Sequence, residues 1–153
     1  MDIQDCSNLT NGLMAQHGLF DKGWTFAYDR AKRRLGLCSY RKKTIFLSSY
    51  YVQLNDEGNV KDTILHEIAH ALLDPDIGHG YLWRQKAIEI GASPNRTGKA
   101  NHVEPRYDIV CPNHGIIGHM YRNKRKNLTF VCKSCKSPVT YENRAIEKST
   151  ISR

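Results

Sequence analysis

Thr63-Ile64-Leu65-His66-Glu67-Ile68-Ala69-His70-Ala71-Leu72 sets H-E-x-x-H inside an apolar run. Residues four apart on an α-helix lie nearly above one another, so His66 and His70 offer two imidazole nitrogens to one cation. Glu67 follows the first of them, where a carboxylate can take a proton from water activated by that cation. The pattern works only on a helix. The sequence predicts one over residues 60–73, capped by Asn55 or Asn59 and carrying Asp62 in its first turn. Ile64, Leu65, Ile68, Ala69 and Leu72 wrap most of its circumference, as suits a helix held between a sheet and another layer. Pro75 disfavours helical geometry at Asp74 and ends it.

Beyond that stop, Asp74-Pro75-Asp76-Ile77-Gly78-His79-Gly80 is a short turn. Glycines on both sides of His79 permit unusual backbone angles and close approach to another segment. Such a turn can swing His79 back beneath the helix as a third nitrogen ligand. Zinc hydrolases use three protein ligands and keep a fourth position for water. A second helix is expected over Tyr81 to Ile90, with Leu82, Trp83, Ala87 and Ile90 on its inner side and Gly91 as its stop. Trp83 reads as core.

Upstream, Ser7 to Leu19 reads as an opening helix, with Ser7 as its cap and Leu9, Leu13 and Met14 facing a core. Three strand-like runs follow: 24–28, 35–40 and 44–48. Their tight connections suggest an antiparallel meander. Ser49 to Leu54 continues as a helical turn, and the polar stretch 92–104 reads as a linker. The domain expectation is a catalytic unit over residues 1–98 and a smaller one over 99–153.

The charge is distributed unevenly. Residues 1–98 hold 12 Lys/Arg against 11 Asp/Glu, whereas residues 99–153 hold 11 against 4. Nearly all of the net +8 therefore sits in the last third. A polyanion, most simply nucleic acid, is the partner such a segment fits. No apolar run is long enough to span a membrane, and the acidic start Met1-Asp2-Ile3-Gln4-Asp5 is unlike a signal peptide. The expectation is a soluble intracellular monomer with no membrane association. Three of the five cysteines lie in the basic third, and in that setting clustered cysteines argue for metal over disulfides. Cys38 reads as a small core residue.

In that third, Cys111-Pro112-Asn113-His114 and Cys132-Lys133-Ser134-Cys135 give C-x2-H-x17-C-x2-C, the spacing of a zinc ribbon with one histidine replacing a cysteine. A short strand leads into each pair, over 107–110 and 128–131. His119 competes with His114 for the fourth ligand position. His119, Tyr121, Arg122, Lys124, Arg125 and Lys126 interleave cations with an aromatic ring. The cations suit phosphates, and Tyr121 suits stacking on an unpaired base.

His66-Glu67-Ile68-Ala69-His70, then Gly78-His79-Gly80 and Trp83, resembles the SprT-like (Spartan-type) zinc metalloproteases. So does the upstream run 34–40 with 44–48, and the likeness extends over roughly residues 7–142 including the ribbon. The resemblance implies an α+β fold: a zincin-like domain of helices and a small antiparallel sheet, followed by a small zinc ribbon. It implies two Zn2+ ions, one catalytic on His66, His70 and His79 with Glu67 as general base, and one structural. It also implies proteolysis of proteins bound or crosslinked to DNA. The turn before His79 is short for the family. Two other classes compete: a non-catalytic zinc-containing DNA-binding protein, for which Glu67 would have no use, and a zinc hydrolase or peptidase without a DNA role, against which the charge asymmetry speaks.

Overall fold

The computed structural model describes residues 1–95, 100–122 and 129–144. The chain divides into two units, Met1–Val103 and Glu104–Arg153. Among the described residues no helix is long and apolar enough to cross a membrane.

Unit 1 is α+β. Helix α1 (Ile3–Gln16) begins earlier than expected, because Asp2 and not Ser7 caps it, accepting from the amides of Gln4 and Asp5. Ser7 lies inside the helix and turns its hydroxyl back onto the Ile3 carbonyl. Met14 and Leu19 are fully buried, and the chain turns at Gly18 with φ 63°. Three strands follow: β1 (Thr25–Asp29), β2 (Gly36–Ser39) and β3 (Thr44–Ser48).

They do not form a meander. The order is β1-β3-β2, with β1 and β3 parallel and β2 and β3 antiparallel. The reason lies in β3, where Ile45, Leu47, Thr44 and Ser48 are all buried and both faces are covered. A strand buried on two faces belongs in the centre of a sheet. The segment between β1 and β2 must therefore carry the chain past the central position. It is pinned there by the Asp29–Arg34 ion pair, by Ser48 Oγ donating to the Ala31 carbonyl (2.6 Å) and by the Ser48 amide donating to the Leu35 carbonyl (2.8 Å). β2 is left at the edge.

Helix α2 (Ser49–Leu54) follows β3, and then α3 (Glu57–Ala71), the helix of the H-E-x-x-H motif. Asp56 caps α3, accepting from the Asn59 amide at 2.9 Å, so the helix starts earlier than expected. Asn55 caps nothing there. Its side chain instead holds the Tyr51 and Asn101 carbonyls and receives the Asn101 amide. The segment read as a linker is thereby strapped onto unit 1 at Asn101, and the Ser93 amide is bound by Asp62 at 2.6 Å. A 3-10 turn, Pro75–Ile77, leads into α4 (Tyr81–Glu89). Trp83 and Ala87 face inward as expected, but Leu82 points to solvent at 55% exposure. Val60, Ile64 and Ile68 of α3 pack on α1 and β3, whereas Leu65 and Ala69 pack on α4.

Unit 2 is a three-stranded antiparallel sheet, β4 (Tyr107–Cys111), β5 (Gly115–Met120) and β6 (Thr140–Asn143), in the order β5-β4-β6. The strand expected over 128–131 is reduced, in its described part, to one bridge between Val131 and Pro138.

Candidate metal centre and active site

Three histidines of unit 1 converge. α3 presents His66 and His70 one turn apart, and the turn after it brings His79 to both. The Nε2 atoms of His66 and His79 lie 2.9 Å apart, those of His70 and His79 3.0 Å. Gly78 adopts φ 55°, a left-handed value that lets so short a turn reverse. Burial holds His66 and His70 well below the ordinary histidine range, each at about 4. Both rings therefore stay neutral with a lone pair to offer, and neutral imidazole is the form that binds a metal. Three ring nitrogens this close, from three half-buried histidines, fit a cation that takes nitrogen ligands at about 2.0–2.1 Å.

Trp83 is the floor of the cluster. Its fully buried ring lies 4.6 Å from His66 and 4.7 Å from His79, and stacks on His70 at 5.4 Å with 27° between planes. Trp83 is core, as expected, packed with Leu65 and Ala69, and it also contacts all three histidine rings. Tyr40 adds a tether by donating its hydroxyl to the His70 carbonyl at 2.8 Å.

Glu67 is 8% exposed. Burial raises its carboxyl to about 7, opposed by a hydrogen bond from the Cys38 amide and by the charge of Arg34. A carboxyl poised near neutrality is suited to accept a proton and release it again. Gly36, Leu37, Cys38 and Tyr40 form the opposite wall of the same cleft, of about 390 Å³.

A family model, SprT-like, matches residues 6–104. The chain belongs to the SprT-like family. Among solved structures it is similar to the metallopeptidase zymogen jannalysin of Methanocaldococcus jannaschii, at 21% identity over 55% of this chain and 79% of that one, with a TM-score of 0.48. No curated protein matches the chain.

Beyond the matched region, the SprT-like chain brings together a second donor set: Cys111 at the end of β4, His114 in the turn after it, and Cys132 and Cys135. Cys111 Sγ lies 3.4 Å from His114 Nδ1 and 3.5 Å from Cys135 Sγ, and Cys132 Sγ lies 3.7 Å from His114 Nδ1. The sulfurs are too far apart for a disulfide, and three sulfurs with one imidazole form a donor set suited to a closed tetrahedral zinc site. Hydrogen bonds from Ser137 and Asn113 draw the Cys135 thiol down to about 5, towards the thiolate a metal requires. His119 lies outside the set. It sits opposite Asp108 in the β4–β5 ladder and is bonded to it at 2.7 Å. Of the other residues expected at a DNA surface, Tyr121 and Arg122 follow β5, whereas Lys124, Arg125 and Lys126 lie outside the described residues.

Sequence reasoning missed Gly36. A β-carbon built on it would stand 2.7 Å from Glu67 Oε1 and 2.8 Å from Glu67 Cγ. A glycine inside a strand was the one signal in the sequence, since it marks close approach of another group.

Proposed function

We propose that this chain is a zinc-dependent endopeptidase whose basic second unit carries it to DNA, where it cleaves proteins bound or crosslinked to the nucleic acid. The convergence of His66, His70 and His79 with Glu67 beside them supports the catalytic part. A zinc ion held by the three rings supplies Lewis acidity, which makes water more acidic and polarises the scissile carbonyl. Glu67 receives the proton of the attacking water and passes it to the leaving amine. Trp83 and the Tyr40 tether keep the ligand rings in place. The free edge of β2 offers backbone groups to an extended substrate, and strand addition of that kind selects little by side chain. On this reading the protein carries a second zinc ion in the ribbon, on Cys111, His114, Cys132 and Cys135.

The two sites are separable. Metal content of the purified chain should be close to two zinc ions, and His79→Ala should remove one while leaving the ribbon ion. A content insensitive to His79 rules the histidine site out.

The DNA part rests on the 11 Lys/Arg against 4 Asp/Glu of residues 99–153. Replacing Arg122, Lys124, Arg125 and Lys126 together with glutamine should weaken DNA binding and flatten its dependence on salt. Each lost phosphate contact lowers the slope of log K against log salt by about 0.7–0.9. Cleavage of a DNA-bound protein should fall in parallel, with cleavage of a free unfolded protein unchanged. An unaltered slope would move the DNA site to Arg30, Lys32, Arg33, Arg41, Lys42 and Lys43. Cleavage indifferent to DNA would leave a zinc peptidase without a nucleic-acid role.

A further inference from the structure

The edge strand β2 and the carboxylate of Glu67 are fitted to one another. Gly36 and Cys38 present their backbone groups away from β3, because the Leu35 carbonyl is the one that faces β3 and strand residues alternate. One of those outward groups, the Cys38 amide, favours the charged form of Glu67 against its burial. Two residues before it, the missing side chain of Gly36 leaves the recess that the rest of Glu67 fills. A β-carbon there would meet Oε1 at 2.7 Å, Cγ at 2.8 Å and Cδ at 3.1 Å. Separations under about 3 Å are closer than van der Waals contact between heavy atoms permits, so the Glu67 side chain would have to shift. Gly36 is not among the positive-φ glycines, so this position needs glycine for space and not for backbone conformation.

We infer that β2 is the positioning element of Glu67: Gly36 supplies the recess in which the carboxylate lies. The same strand then both offers its edge to substrate and aims the base. The outward amides and carbonyls of Gly36 and Cys38 are the groups that β2 offers to a substrate strand. Bending or shifting β2 moves the base with it. Gly36 acts through Glu67 and is a positioning residue.

This inference rests on Glu67 being the general base, and the test separates the two. The zinc-loaded full chain, Gly36→Ala, Glu67→Gln, Glu67→Ala and Gly36→Ala/Glu67→Ala are compared for turnover of fluorescently labelled casein and for melting temperature. Gly36→Ala should lower kcat by about 100-fold, the cost of a misplacement near 1 Å, with KM and zinc content unchanged. It should also lower the melting temperature, although alanine is intrinsically the better residue inside a strand. In the Glu67→Ala background, where the recess is empty, the same substitution should cause no such loss. If Gly36→Ala alone does not fold, recovery of the folded double variant supports the fit, and failure of both overturns it. Wild-type turnover in Gly36→Ala beside an inactive Glu67→Gln overturns the positioning role alone, as does an equal melting loss in both backgrounds. Wild-type turnover in Glu67→Gln instead removes the base, and with it the catalytic consequence of the fit.

Discussion

Glu67→Gln should lower proteolytic turnover by about 10²–10⁴-fold, the contribution of a well-placed general base, while leaving the zinc content unchanged. Glutamine keeps the length and shape of the side chain, so it fills the recess at Gly36 without the ability to take a proton. A second consequence appears in the metal-free protein. Burial lifts the Glu67 carboxyl from 4.5 to about 7, so the folded state holds its proton over a range in which the unfolded chain has lost it. A raised folded value means that stability is full below pH 4.5, falls as pH rises through about 7, and is flat above. The charged carboxylate therefore costs on the order of 3 kcal/mol at pH 8, at 1.36 kcal/mol per unit. Metal-free Glu67→Gln should melt above metal-free wild type at pH 8, and the difference should vanish near pH 4. His66 and His70 titrate in both proteins, so their contribution cancels in the comparison. Zinc binding should shrink the gap, because a cation beside the carboxylate offsets its burial. Wild-type turnover in the variant would assign the base to another residue, and equal melting at pH 8 would show that burial does not disfavour the charge.

How far the sequence could lead depended on whether a feature was local. The helix carrying His66 and His70 is readable from spacing alone, and so is the Gly-His-Gly turn that brings His79 to them. The cap of α3 was not. Asp56-Glu57-Gly58 reads as a turn because of its glycine, yet Asp56 caps the helix and Gly58 lies in its first turn. Strand positions 44–48 were readable, but the pairing was not, since short connections are compatible with either order. Only the burial of β3 on both faces decides it, and that depends on what packs above and below. Trp83 belongs to the same class: its apolar character predicts burial, whereas its contact with three histidine rings exists only once α4 folds back on α3. In the second unit, Gly115 and Gly118 disguised β5, which pairs with β4 through a bulge between Ile109 and Val110. His119 looked like a ligand because it is close in sequence to His114. Strand alternation turns it instead towards Asp108 on the neighbouring strand.

Removing metal should unfold unit 2 and spare unit 1. Among the described residues of unit 2 only Cys111 and Cys132 are buried, and both belong to the donor set. Ile116, Ile117 and Val131, which would serve as core in a larger domain, are 58%, 43% and 52% exposed. So little apolar burial cannot offset the conformational entropy of ordering the sheet, which costs about 1–2 kcal/mol per residue in the backbone alone. A structural zinc ion, whose binding contributes on the order of 10–16 kcal/mol in small metal-dependent domains, can do so. Unit 1 differs, since Met14, Leu19, Ile45, Leu47, Ile64 and Ile68 are all fully buried there. Cys132→Ser should therefore abolish the amide-exchange protection of the β4–β5 ladder while that of β1–β3 persists, and should direct limited proteolysis to residues beyond Val103. Chelation should reproduce this pattern, with added loosening confined to the turn that carries His79. Since the serine hydroxyl is close in size to the thiol but a poor zinc ligand, loss of packing would not explain so large an effect. Protection of the β4–β5 ladder that survived both treatments would show that the sheet holds itself together and that the four converging donors are dispensable for the fold.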